Sequence, residues 1–169
     1  MQEDEYGYVY PVIDQDKCVG CGLCRKVCHY QADKELRTPI KAYAAAGKKE
    51  EFLKKAASGG MFSLVADKIL EEGGVVFGVA MEYHNNTLIP KHIAVESKEE
   101  LFKLQGSKYV QSFIGNTYAE AKKYLADGRK VLFSGTPCQI EGLKGYLGRE
   151  YENLYTIDII CCLLYTSPS

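Results

Sequence analysis

Four cysteines near the start of the chain have a spacing that suits redox chemistry. They are separated by two, two and three residues, in the order Cys18, Cys21, Cys24 and Cys28. This is the spacing of the bacterial ferredoxin run, in which thiolates bind a cubane iron–sulfur cluster. Gly20 and Gly22 lie inside the run and allow the backbone to wrap around a small object. The residues therefore predict a 4Fe-4S site with these four cysteines as ligands.

Two other interpretations of the cysteine run are weaker. Cysteine pairs two residues apart also bind zinc, but zinc sites usually separate two such pairs by a longer loop. Coincidental thiols with no ligand are the remaining alternative. The ferredoxin run usually continues with proline, where this chain has His29. We interpret His29 as a loop residue rather than as a ligand or a donor to the ligands.

Because the chain has a single cysteine run, its four cysteines could bind one cluster or contribute to two. In two-cluster ferredoxins the last cysteine of each run binds the other cluster. By that rule Cys28 belongs to a second cluster, and the first three cysteines hold one cluster without a fourth ligand.

Composition and charge exclude several classes of protein. The 169 residues carry 21 basic and 22 acidic side chains, which argues against nucleic-acid binding through a basic face. No apolar run approaches the roughly 18 residues of a membrane span. The acidic start lacks the basic and apolar regions of a signal peptide. Cysteines clustered in this way favour a cytoplasmic metal or redox protein over a secreted disulfide framework. The oligomeric state stays open.

The elements that position these residues indicate an α/β protein. Residues 1–36 form a small ferredoxin-like module with a short strand over residues 6–14, and the local character changes near Thr38 and Pro39. Strands then alternate with helices over residues 40–161, which predicts a mixed sheet with flanking helices and one antiparallel hairpin. Strands are predicted at residues 43–47, 75–80, 88–95, 130–133 and 154–160. Helices are predicted at residues 61–70, after a capping box at 97–100, from Asn116 to Gly128, and at 138–146.

Two loops of this region have the composition of a cofactor site. Ser58, Gly59 and Gly60 precede a helix, where free N–H groups favour an anion such as a phosphate, although a simple helix cap explains them equally well. Residues 106–109 contain Ser107, Lys108 and Tyr109, which suit a phosphate or a flavin ring. This second signal is weak when taken by itself.

The third loop, residues 134–139, gives a stronger signal. It follows a strand and opens a helix, with Gly135 in the turn, Thr136 as the N-cap and Pro137 as the first helical residue. Cys138 then lies in the first turn, where the helix dipole favours a thiolate. The two interpretations of Cys138 are a redox-active or ligating thiol and a packed cysteine beside a cofactor, and the second is slightly favoured. His84 and His92 fall in the hairpin and are predicted to be surface residues.

Four segments, taken in order, resemble the coenzyme F420 hydrogenase/dehydrogenase beta-subunit family. They are residues 10–14, 58–60, 106–112 and 133–139, and the resemblance covers about residues 5–161. It implies an iron–sulfur flavoprotein that binds FAD and passes electrons between clusters and a hydride-accepting cofactor, such as the deazaflavin coenzyme F420. Carried over to this chain, it implies cofactor contacts from Ser58, Gly59, Gly60, Ser107, Lys108, Tyr109, Gly135, Thr136, Pro137 and Cys138.

The leading hypothesis is an oxidoreductase that moves electrons between a 4Fe-4S cluster and FAD. Hydride would then pass to or from a deazaflavin-like or unknown acceptor, and the partner would be a redox subunit or a ferredoxin. An electron-relay subunit without its own substrate is the alternative. A truncated, inactive reading frame is the third hypothesis.

The resemblance also implies that the chain is a fragment. Met1 would be internal, and residues 1–36 would be the second half of a dicluster unit. Residues 40–161 would be a truncated flavin-binding region, with Cys161 packed at a strand end. The tail at residues 162–169 has the character of a non-native extension.

Overall fold

The computed structural model describes residues 2–5, 9–28, 38–48, 50–56 and 59–159. Near the start, strand β1 (Gln2–Glu3) pairs antiparallel with strand β2 (Val9–Tyr10). Helix α1 (Leu23–Lys26) lies inside the cysteine run, and helix α2 (Glu50–Lys54) follows farther along. His29, Ser58 and Cys161 lie outside the described residues.

A four-stranded mixed sheet forms the centre of the remaining chain. Its strands are β3 (Val75–His84), β4 (Thr87–Val95), β5 (Val131–Gly135) and β6 (Leu154–Asp158), in the spatial order β4-β3-β5-β6. β3 pairs antiparallel with β4, whereas β3, β5 and β6 run parallel. The predicted mixed α/β sheet is therefore confirmed.

Helices cover both faces of this sheet. Helix α3 (Met61–Glu71) and a 3₁₀ helix (Lys98–Lys103) pack on one face, and helices α4 (Thr117–Ala126) and α5 (Pro137–Leu147) pack on the other. Each core layer takes alternate residues of the strands, as the two-residue period of a strand requires.

The centre of β3 and β5 is fully buried. Val76 and Leu132 face α3, while their neighbours Phe77 and Phe133 face α4 and α5, and all four are 0% exposed. Complete burial of such side chains stabilises the fold by about 1.5–3 kcal/mol each. The sheet is thus a rigid platform for the loops that leave its edge.

The hairpin follows the prediction closely. Asn85 and Asn86 both have positive φ, 46° and 61°, which is the backbone of a type I′ turn. Asparagine tolerates this left-handed conformation better than most residues because its side chain bonds to the local backbone.

Three expectations about local structure were wrong. Residues 43–47 form no strand in the described structure, because this alanine-rich stretch has low β propensity and lies against Gly59, whose carbonyl accepts the Gly47 N–H at 2.7 Å. The early strand covers residues 9–10 of the described chain and excludes residues 11–14. In the described structure Ser97 makes no side-chain cap bond, and the helix after it is a short 3₁₀ helix.

Among the described residues, no helix combines the length and the apolar character that crossing a bilayer requires.

Candidate functional site

The cysteine run wraps through two left-handed glycines. Gly20 and Gly22 have φ of 65° and 70°, and Gly22 is the N-cap of α1. A Cβ at either position would meet no atom within 4 Å, so the constraint on these two residues is the backbone conformation itself. Three of the four thiols are exposed, Cys28 is half-buried, and all four are free.

The donor set and the surroundings of the run fit an iron–sulfur cluster. Four thiols and a loop of left-handed turns supply the right ligands, and Val19, Leu23 and Val27 expose apolar side chains beside them. The structure does not draw the thiols together: within the described residues, no three metal-ligating side chains lie close enough to hold an ion. A cluster held by all four thiols would have to draw them together.

The end of the run lies against helix α5. A Cβ at Gly145 would fall 2.9 Å from the backbone oxygen of Val27 and 3.7 Å from its Cβ. The run can approach this closely because residue 145 has no side chain. Cys138, Gly142 and Gly145 are spaced by four and three residues and share one helix face. Gly145 lies seven residues after Cys138, a separation of about 10 Å along the helix axis.

The predicted turn at residues 134–139 starts α5 as expected. Thr136 is the N-cap, and the Gln139 side-chain oxygen accepts the Thr136 N–H at 3.0 Å, which closes a capping box. The Thr136 hydroxyl lies 3.0 Å from the Cys138 sulfur. Pro137 and Cys138 are exposed, so this helix start is open to a ligand.

Gly135 has a packing role in the same turn. A Cβ there would lie 3.0 Å from the Gln139 side-chain oxygen and 3.6 Å from the His92 Nε2. The small residue thus lets a glutamine and a histidine approach the strand end. This packing accounts for the glycine without a ligand.

In the second predicted loop, the aromatic ring is exposed to solvent, whereas the lysine ammonium is bonded to the backbone. Tyr109 is 75% exposed, and Ser107 is also exposed. The Lys108 ammonium donates to the backbone oxygens of Gln105 at 2.7 Å and Lys103 at 3.3 Å, at the end of the 3₁₀ helix. Burial lowers the pKa of Lys108. Its charge is therefore committed to helix carbonyls rather than aimed at a ligand.

The first predicted loop leads into α3. A Cβ at Gly59 would fall 2.4 Å from the Ala45 backbone oxygen, so this glycine also serves packing. Gly60 is buried and begins the helix with a φ of 72°. The hydroxyl of Ser63, in the first turn of α3, accepts a hydrogen bond from the Gln105 amide at 3.0 Å. That bond joins the start of α3 to the second loop.

The expectation that His92 is a surface residue was wrong. His92 is 1% exposed, and its ring stacks on Phe133 with centroids 5.3 Å apart and planes 14° from parallel. Its nitrogens lie 3.0 Å from the Ser112 hydroxyl and 3.0 Å from the Ser134 backbone oxygen. Burial lowers the pKa of His92, and the bond to Ser134 opposes that shift in part.

Sequence reasoning missed His92 because the cover over it comes from a distant segment. The backbone N–H of His92 donates to the Phe113 oxygen at 2.9 Å, and the Phe113 N–H donates to the Pro90 oxygen at 3.0 Å. Residues 112–113 therefore run along the outer edge of β4. No local pattern in the hairpin signals that contact.

Tyr118 is a second residue that the sequence did not reveal. Its hydroxyl donates to the Gln139 backbone oxygen at 2.7 Å and occupies the space beside Gly142. Burial, with a smaller contribution from Cys138, raises the pKa of Tyr118 to about 12. The group is therefore a neutral hydrogen-bond donor that supports the first turn of α5.

Two serine–glutamine bonds connect the three predicted loops. Ser63 and Gln105 join the first loop to the second, and Ser112 and Gln139 join the second to the third, each at 3.0 Å. Hydrogen bonds thus connect the three predicted segments in sequence, although α3 and α5 pack on opposite faces of the sheet.

Comparison with family models finds a match for the central segment and a match for the cysteine run. Residues 42–116 match the model described as Coenzyme F420 hydrogenase/dehydrogenase, beta subunit N-term. This segment, which makes up less than half of the chain, is therefore similar to the beta-subunit N-terminal family. Residues 9–30, which include all four clustered cysteines, match the model described as 4Fe-4S binding domain. The resemblance stated from the residues is confirmed by both matches.

One solved structure and the curated proteins complete the comparison. A chain of the F420-reducing NiFe hydrogenase complex from Methanosarcina barkeri is similar, with 22% identity and a TM-score of 0.49. The match covers 69% of the present chain and 42% of that chain, so the protein spans less than half of its length. No curated protein matches the chain.

Proposed function

We propose that the chain is an iron–sulfur flavoprotein oxidoreductase of the beta-subunit type, with electrons moving between the 4Fe-4S domain and FAD. The observation that carries this proposal is the seating of the cysteine run on α5. The backbone of Val27 lies against Gly145, and the same helix begins at the open turn of Thr136 and Cys138. One short helix therefore connects the cluster domain to the candidate flavin site.

The residues of the run would hold the cluster. Cys18, Cys21 and Cys24 expose their thiols on the wrapped loop, and Cys28 lies beside the contact with α5. The exposed Val19 and Leu23 would exclude water from the metal once the loop closes around it.

The flavin contacts would come from the start of α5 and from one exposed ring. Thr136 and the first turn of α5 suit an anionic phosphate, because a helix N-terminus carries partial positive charge. Tyr109 offers an exposed ring for packing against an aromatic ligand. Lys108 would have to leave its carbonyl acceptors to bind an anion, so it ranks behind Thr136.

When bound, the two cofactors supply single-electron and hydride chemistry, respectively. The protein residues supply position and electrostatics. A deazaflavin-like or unknown acceptor would receive or donate the hydride, and a redox partner subunit or ferredoxin would exchange electrons with the cluster.

Anaerobic production of the full chain tests the proposal directly. Iron, acid-labile sulfide, zinc and flavin are measured in the same sample after reconstitution with iron, sulfide and FAD. We expect iron with matching sulfide, together with flavin. Iron and sulfide without flavin would support the relay alternative, and zinc without sulfide would refute the cluster assignment.

A matched pair of cysteine variants localises the metal. Cys21→Ser removes a predicted ligand, and we expect most of the iron to be lost. Cys138→Ser removes an exposed thiol of the α5 turn, and we expect iron to be retained. Equal iron loss in both variants would contradict the assignment of the cluster to the run.

A further inference from the structure

We infer that His92 is the positioning residue of the candidate flavin site, held neutral with its proton on Nε2. In that state it joins the second loop to the turn that opens α5. The effect of His92 on flavin binding rests on the proposed function. Its protonation state and the connection between the loops rest on the geometry alone.

The tautomer follows from the acceptor at Nε2. Ser134 offers a backbone carbonyl, which only accepts, so the Nε2 of His92 must donate across their 3.0 Å contact. Nδ1 then carries a lone pair in the neutral ring. The Ser112 hydroxyl, 3.0 Å away, is the group that donates to it.

The other hydrogen bonds of the network require the same direction of donation, from Ser112 to the Nδ1 of His92. The Thr136 N–H donates to the Gln139 side-chain oxygen at 3.0 Å, which turns the Gln139 NH₂ toward Ser112. Ser112 accepts that N–H on its oxygen and keeps its own hydrogen for His92. The chain of donors therefore runs from Thr136 through Gln139, Ser112 and His92 to Ser134. It begins and ends in the same turn.

The surroundings leave the imidazole few other arrangements. Phe133 covers one face of the ring by stacking, and a side chain at Gly135 would reach its edge. Within the described residues, every buried side-chain nitrogen and oxygen atom has a hydrogen-bond partner. A reversed tautomer would set Nε2 as an acceptor against the Ser134 carbonyl, which leaves two acceptors facing each other.

The consequence for the site is geometric. The backbone of His92 holds Phe113, and its ring holds Ser112, so two bonds fix the loop that carries Tyr109. The same ring holds the strand end that leads to Thr136. His92 thereby sets the position of the exposed ring relative to the open helix start, without touching a ligand itself.

Nitrogen-15 NMR of the full chain, labelled at histidine, tests the protonation state. At slightly alkaline pH we expect the His92 ring, assigned by its absence in His92→Gln, to show a pyridine-type Nδ1 and a pyrrole-type Nε2. The exposed His84 serves as the internal reference. The reversed tautomer, or an imidazolium at that pH, would overturn the inference.

Two serine variants separate this network from burial in general. Ser112→Ala and Ser63→Ala each remove a buried hydroxyl that accepts a glutamine amide at 3.0 Å. We expect Ser112→Ala to shift the Nδ1 resonance and to speed amide exchange over residues 109–113 about tenfold. Ser63→Ala should leave that resonance unchanged. Equal shifts in the two variants, or none in Ser112→Ala, would refute the network.

Flavin titration of the full chain then tests the positioning role. His92→Phe keeps a ring to stack on Phe133 and loses both bonds, and we expect the dissociation constant for FAD to rise about tenfold. His92→Gln retains one donor and should restore part of the affinity. An unchanged constant in His92→Phe would overturn the positioning role and leave the proposed function intact. If the wild-type chain binds no FAD, the proposed function fails, and the NMR result still decides the tautomer and the connection between the loops.

Discussion

The cysteine run and the sheet region specify their chemistry in opposite ways. In the run, all four candidate ligands lie within eleven residues, and the apolar side chains around them are exposed. In the sheet region, the candidate residues come from segments up to about eighty residues apart, and their arrangement depends on a fully buried core. Local spacing encodes a metal ligand set, whereas a cofactor surface has to be assembled by tertiary packing.

The largest expected effect comes from the core that supports the loops. Phe133 is fully buried and stacks on both Phe77 and His92. Phe133→Ala should lower the free energy of unfolding by about 3–5 kcal/mol, through lost burial and a residual cavity. Urea unfolding followed by circular dichroism measures this. Cys21→Ser, in the exposed run, is the matched variant and should leave the urea midpoint of the apoprotein unchanged. A comparable loss in both would remove the contrast between the two regions.

Gly145→Ala tests whether the run is seated on the sheet region at all. In a free helix surface, alanine in place of glycine stabilises by about 1 kcal/mol. Here the new Cβ would fall 2.9 Å from the Val27 oxygen, and the strain of that overlap is expected to cost about 1–3 kcal/mol.

The sign of the change in unfolding free energy in Gly145→Ala therefore shows whether the cysteine run rests on α5. We expect little gain or a net loss, together with faster proteolysis of residues 9–28. A clear stabilisation without any change in proteolysis would mean that the run does not rest on α5. Lys144→Ala, at an exposed position of the same helix, controls for the helix itself.

A smaller effect is expected in the pH dependence of the unfolding free energy. His92 has a lowered pKa in the folded protein because of burial, while the unfolded chain titrates near the ordinary value of about 6.5. Below that value the unfolded state binds a proton that the folded state resists. The contribution of His92 to stability is therefore complete above pH of about 6.5, declines as the pH falls through it, and levels off below the folded pKa.

Unfolding free energies across mildly acidic pH measure this dependence. His92→Gln lacks the titrating ring and should flatten the slope in that window. His84→Gln, in the exposed part of the hairpin, should leave the slope as it is. A steep slope that persists in His92→Gln would assign the pH dependence to another group.

The elements of the sheet region could be predicted because their signals are local. Asn85 and Asn86 predict the hairpin, and Thr136 and Pro137 predict the start of α5, since each depends on its own backbone conformation. Residues 43–47 were misjudged because a strand also needs a partner, and none pairs with it among the described residues. The order of the strands is likewise a property of the whole sheet.

The candidate site was predictable in its segments and not in its contacts. The sequence identified the three loops, yet it assigned Lys108 to a ligand, whereas the structure turns its ammonium onto helix carbonyls. It also overlooked His92, because Ser112 and Phe113, about twenty residues farther along the chain, bond to its ring and to its backbone N–H, respectively. A buried histidine in a hairpin becomes visible only when the covering segment is known.

The smallest expected effect concerns surface charge. It tests how much the ion pairs of Lys98 contribute to the stability of the sheet region. The Lys98 ammonium lies 2.9 Å from Asp67 and 2.7 Å from Glu71, and these bonds raise the pKa of Lys98. The pairs tie the 3₁₀ helix to α3, but water screens them. Lys98→Met should therefore shift the urea midpoint less than any variant above, and high salt should remove the difference. If the shift instead approached that of Phe133→Ala and resisted salt, these ion pairs, together with the apolar core, would determine how α3 is held against the sheet.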